Sequence, residues 1–79
     1  MSRPVKRSFV IKGHATSISL EAPFWDALRE VAARERVPLA AVVARIDAER
    51  GEAGLSSAVR VWLLAYYRRL AAGRTAGDA

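Results

Sequence analysis

The 79-residue chain has no cysteine and only one histidine, His14. Without thiols there is no disulfide framework, no thiolate metal site and no thiol nucleophile. One imidazole makes no histidine cluster, and Ser17 and Ser19, near it in sequence, cannot converge with it from one short strand as a catalytic triad requires. No catalytic residue, metal ligand set or cofactor is therefore expected, and the chain reads as a non-enzyme with no small-molecule substrate. Long apolar runs are missing too. Stretches such as "VPLAAVVA" fall far short of the ~18 to 20 residues a membrane span needs, and the N-terminus lacks the apolar segment of a signal peptide. The expectation is a soluble cytoplasmic protein without a membrane partner.

The first twenty residues contain no acidic side chain, only Arg3, Lys6, Arg7 and Lys12 with His14. Formal net charge is +5 and the sequence pI is about 10.8, which points to a polyanionic partner. A basic run of this kind also serves as a solubilising tail, so position decides between the two. The remainder is unusually apolar for its size, with 52% hydrophobic residues. A monomer this small buries little more than about 60% of its unfolded surface. With no disulfide or metal to compensate, the expectation is a core shared between chains.

Periodicity changes within "GHATSISLEAPFWDAL", residues 13–28. Ile18 and Leu20 alternate with Ser17 and Ser19, the signature of a half-buried strand. Pro23 then suits a helix's first turn, and Phe24, Trp25, Leu28, Val31 and Ala32 recur at helical spacing, predicting a helix from about Ala22 to Glu35. Pro38 can only start the next helix, whose apolar side is Leu39, Val42, Val43 and Ile46 up to about Arg50. "GEAG" closes it, Ser56 or Ser57 is the expected N-cap of a third helix, and Val59, Trp62, Leu63, Tyr66 and Leu70 form that helix's main stripe. Val61, Leu64 and Ala65 spread apolar surface around the circumference, more than one chain is expected to hide. The predicted organisation is a basic arm over 1–12, a strand and three helices over 13–72, and a frayed tail over 73–79.

This order resembles the ribbon-helix-helix superfamily, the Arc and MetJ type of repressor, through "TSISLEAPFWDALREVAARERVPLAAVVARI". More narrowly, "RSFVIKGHATSISLEAPFWDAL" with "LSSAVRVWLLAYYR" looks like small stand-alone bacterial members carrying an added third helix. The resemblance covers about Arg7 to Arg68. It implies a mainly α fold, an intertwined homodimer in which two chains pair their strands antiparallel into a two-stranded β-ribbon that enters the major groove of DNA. Gly13 leaves a second arrangement open, since "RSFVIKGHATSIS" is also compatible with a tight hairpin within one chain, which would give the dimer a wider sheet.

Strand parity assigns the faces. With Ile18 and Leu20 inward, Ala15, Ser17 and Ser19 point outward. The resemblance implies that these three face DNA bases, although their short side chains discriminate weakly between base edges. Phosphate contacts are expected from Arg3, Lys6, Arg7 and Lys12. They are also expected at the start of the second helix, where the family's backbone amides clamp a phosphate. Pro38 has no amide to give there, which leaves Val37 and Leu39 with Arg36 beside them. Ile18, Leu20, Trp25, Leu28, Val42, Ile46, Val59, Trp62 and Tyr66 are the expected dimer core. His14 reads as a solvated or DNA-proximal side chain.

The expected function is therefore that of an obligate homodimer binding duplex DNA, a nucleoid-associated transcriptional regulator. An antitoxin-type autoregulator is the first alternative, disfavoured because only "AAGRTAGDA" follows the third helix. A dimeric protein-interaction module without DNA is the second.

Overall fold

The structure is a computed structural model that describes residues 3–78, with side chains described through residue 73. Its elements are β1 (Pro4–Ile11), β2 (His14–Glu21), α1 (Ala22–Glu35), α2 (Leu39–Glu49) and α3 (Leu55–Asp78). The two strands form one antiparallel hairpin, in register from Pro4 opposite Glu21 to Ile11 opposite His14. Only Lys12 and Gly13 connect them, both left-handed, with φ of 53° and 79°. Two successive positive φ values define the type I′ turn, whose twist matches that of the flanking strands. Glycine adopts this conformation freely, whereas Lys12 does so at the steric cost of its Cβ.

The hairpin is the second of the two arrangements that Gly13 left open. Residues 4–11 of the basic arm are a strand. The strand carrying Ile18 and Leu20 is not alone, and its partner comes from the same chain rather than from a second copy. Each β2 residue shares a sheet face with its β1 partner, so Val5, Arg7, Phe9, Ile11, His14, Thr16, Ile18 and Leu20 lie on the inner face, His14 exposed at its turn end. The same alternation runs through "KRSFVI", where it is masked because a charged Arg7 occupies an inner position.

Trp25 of α1 explains how that position is filled. Its Nε1 donates to the Val5 carbonyl at 2.8 Å, its ring stacks on Phe9 at 5.9 Å, and the Arg7 guanidinium lies over it at 5.5 Å. A buried indole needs a partner for its N–H and offers its face to a cation, so one side chain fastens β1 along several residues.

The helices follow from their patterns. Trp25, Leu28, Val31 and Ala32 are the buried residues of α1, and Val42, Val43 and Ile46 those of α2. α1 ends with Arg36 in the left-handed conformation, its N–H bonding to the Ala33 carbonyl and that of Val37 to the Ala32 carbonyl. This crossed pair is a Schellman stop. α3 begins one residue before the expected cap, the Ala58 N–H bonding to the Gly54 carbonyl. Ser56 therefore lies inside the helix, where its hydroxyl is free to bond elsewhere. α3 also continues to Asp78 through the tail expected to fray, because alanine sustains the helix across Gly73. Ala79, the end of that tail, lies outside the described residues.

One chain buries much of the expected dimer core by itself. Ile18, Leu20, Trp25, Leu28, Val42, Ile46 and Val59 are all buried, together with Ile11, Val31, Ala32, Val43 and Leu63. Trp62 and Tyr66 are only half-buried, their rings stacked at 5.4 Å. The inference that one chain cannot hide its apolar residues therefore applies to α3's outer surface and not to the core. The hairpin supplies this difference, adding β1 to cover what a single strand would have left open.

Candidate nucleic-acid interface

The hairpin's other face carries no helix. Three cross-strand pairs make up its middle: Lys6 with Ser19, Ser8 with Ser17, and Val10 with Ala15. Ser8 and Ser17 bring their hydroxyls to 3.5 Å. All six are exposed except Ser19, which is half-buried. Lys12 adds a cation at the turn, and exposed Arg3 another just before β1. The only acid on this face is Glu21, at the far end.

Glu21 is neutralised by α3. Both Nε and one terminal nitrogen of Arg60 donate to its Oε1, at 3.1 and 2.8 Å. These hydrogen bonds, with a backbone bond of its own, hold the Glu21 carboxyl below its ordinary pKa. The same guanidinium lies 5.6 Å over the Phe24 ring and donates to the Ser19 carbonyl at 3.4 Å. From the other side the Ser19 N–H donates to Ser56 Oγ at 3.1 Å. The outer edge of β2 is thus closed at Ser19 by two α3 residues, which holds that end of the strand to the helical layer.

The structure distributes the expected contact residues over three places. Ala15, Ser17, Ser19 and Lys6 share the outer face. Arg7 lies on the inner face over Trp25, pointing away from that surface. Arg36, Val37 and Leu39 belong to the α1–α2 turn. There the Val37 N–H is committed to the Ala32 carbonyl, so it cannot also clamp a phosphate. Pro38 is the N-cap of α2, and its carbonyl accepts from Ala41 and Val42. Leu39, the first helical residue, keeps an amide with no intrahelical acceptor. His14 is exposed at the start of β2. Sequence reasoning missed Ser8 and Val10 on the outer face, along with Ser56 and Arg60 behind it. For the first two the signal was present: two alternating runs separated by two residues ending in glycine.

A second surface lies between α2 and α3. A cavity of about 420 Å³ is lined there by Ile46, Arg50, Val61, Trp62, Ala65 and Arg69 among others. Val61 and Leu64 on α3 are 65% and 60% exposed. Among the described residues there is no cluster of metal-ligating side chains, and no helix is long and apolar enough to cross a membrane.

A two-stranded antiparallel ribbon leading directly into packed helices, with a basic outer face, defines a class of DNA-binding domain. The chain belongs to the ribbon-helix-helix domain family, whose model matches residues 4–67 and so includes both strands, α1, α2 and about the first half of α3. Domains of this family generally bind DNA as transcriptional regulators, dimerise, and are regulatory modules rather than enzymes. Neither curated proteins nor solved structures give a match to the chain.

Proposed function

We propose that this protein is a homodimeric, sequence-dependent duplex-DNA-binding protein and a transcriptional regulator, which lays the outer face of its β1–β2 hairpin in the major groove. One observation carries the reading: a helix-free ribbon face bearing Lys6 and Lys12, whose single acid is held by Arg60. Two strands about 4.8 Å apart fit a groove about 12 Å wide. Lys6, Lys12 and Arg3 contact phosphates and supply affinity, while Ala15, Ser17 and Ser19 face the base edges. Arg36 and the Leu39 amide are a second phosphate contact, weakened because Pro38 has no amide to give and the Val37 N–H is already committed. The exposed Val61 and Leu64 beside the α2–α3 cavity support a second copy docking on α3, and a dimer doubles the charge presented to DNA.

Gel shifts on random and selected duplexes over a salt series test this. The expected result is binding that falls steeply with salt and is tighter on selected sites. Salt-insensitive or absent binding at low ionic strength contradicts it and favours a protein-interaction module.

A further inference from the structure

The outer face changes character along its length. At the open end of the hairpin Pro4 pairs with Glu21, followed by Lys6 with Ser19 and Ser8 with Ser17, and nearest the turn Val10 pairs with Ala15. Val10 is 74% exposed, the most accessible of the exposed large hydrophobic side chains. Its strand neighbours Phe9 and Ile11 turn to the inner side, so neither the sheet nor any helix covers it. A branched apolar side chain beside an alanine is a small methyl-rich surface next to the hydroxyls of Ser8 and Ser17.

We infer that the Val10–Ala15 pair reads thymine methyl groups. This rests on the proposed DNA-binding reading and adds the chemical feature that is recognised. Of the groups that base pairs present in the major groove, the thymine C5 methyl is the apolar one, and aliphatic side chains contact it directly. The serine hydroxyls next to the pair each donate or accept, so they distinguish bases weakly. The apolar pair has no such ambiguity. Charge favours DNA over a second protein as its occupant. Lys12 flanks the pair at the turn, Lys6 follows on the same face, and the one acid there is already bound to Arg60. Phosphates on either side of a groove therefore draw this end of the hairpin in, and Val10 and Ala15 meet the base edges.

The experiment uses the full chain and a site selected from randomised duplexes. Each thymine is replaced in turn by deoxyuridine, which lacks only the C5 methyl. At one or two positions the wild type is expected to bind about three- to fourfold more weakly, the effect of removing one buried carbon group. In Val10→Ser this thymine preference should vanish while affinity for random DNA is kept. Circular dichroism and the melting midpoint check that the variant folds, and Ala15→Ser is the second probe. Equal binding of thymine and deoxyuridine duplexes at every position overturns the inference and leaves DNA binding intact. A thymine preference unchanged in both variants assigns the methyl to another side chain and overturns it equally. If Val10→Ser instead alters the sedimentation behaviour, the patch is a protein contact and the inference falls. Failure to bind any duplex removes the inference together with the reading beneath it.

Discussion

The two faces of the hairpin are built from the same sixteen residues and follow opposite rules. The inner face is defined by packing: Ile18 and Leu20 are fully enclosed, and even its one cation, Arg7, is held against the Trp25 ring. Apart from the Glu21–Arg60 ion pair at its far end, the outer face has hardly any internal partners, only a marginal contact between two serines. Substitutions inside should therefore act on stability, whereas substitutions outside should act on what the hairpin touches. A face that contributes little to folding is free to be shaped by a ligand.

The strongest test of that division is Trp25→Ala. Removing a buried indole that also bonds to Val5 should cost ~3 to 5 kcal/mol, read from urea unfolding. A cost under about 1 kcal/mol would show that β1 does not depend on the inner face. Lys12→Asn tests the turn, which belongs to both faces. Asparagine tolerates the left-handed conformation better than lysine, so stability should rise by up to ~1 kcal/mol. DNA affinity should fall at the same time, and the log–log salt slope should flatten by ~0.9 per protomer, because each protomer neutralises one phosphate fewer. A slope left unchanged would remove Lys12 from the interface.

Ser19→Ala probes the outer face where its backbone is clasped by α3. The bonds with Ser56 and Arg60 use the Ser19 N–H and carbonyl, so they survive the substitution. Folding should be nearly unaffected while the selected site is weakened by ~1 kcal/mol and random DNA is spared. Equal weakening on both duplexes would turn Ser19 from a reader into a general contact. The smallest effect is expected from Glu21→Gln, and it is confined to acid. The Glu21 carboxyl is depressed in the folded protein, so its contribution is complete above the ordinary value of 4.5 and disappears as pH falls through the lower folded value. Melting midpoints of wild type and variant should converge below that range and differ above it. A constant difference across pH would mean that Glu21 acts through something other than its charge.

Much of this was legible in the chain. Proline at the start of α1, the three-and-four spacing of Trp25, Leu28, Val31 and Ala32, and the serine alternation of β2 are local patterns, and local patterns set local structure. β1 was harder to read. Its basic residues resemble a disordered arm, and Arg7 breaks the apolar alternation at an inner position that only the Trp25 ring makes acceptable. Val37 shows the same limit, because the donation of its N–H to the Ala32 carbonyl depends on how the turn is wound rather than on residue type.

The sequence by itself determined where α1 and α2 run, that a third helix follows and which side of β2 faces inward, since these depend on periodicities of 3.6 and two residues and on turn chemistry within a few positions. Only the tertiary structure decided that the ribbon is completed within one chain and that its β2 edge is clasped from behind. Ser19 meets Ser56 across 37 residues and Glu21 meets Arg60 across 39. Contacts at such separations are set by the packing of whole elements against one another, which no spacing along the chain encodes.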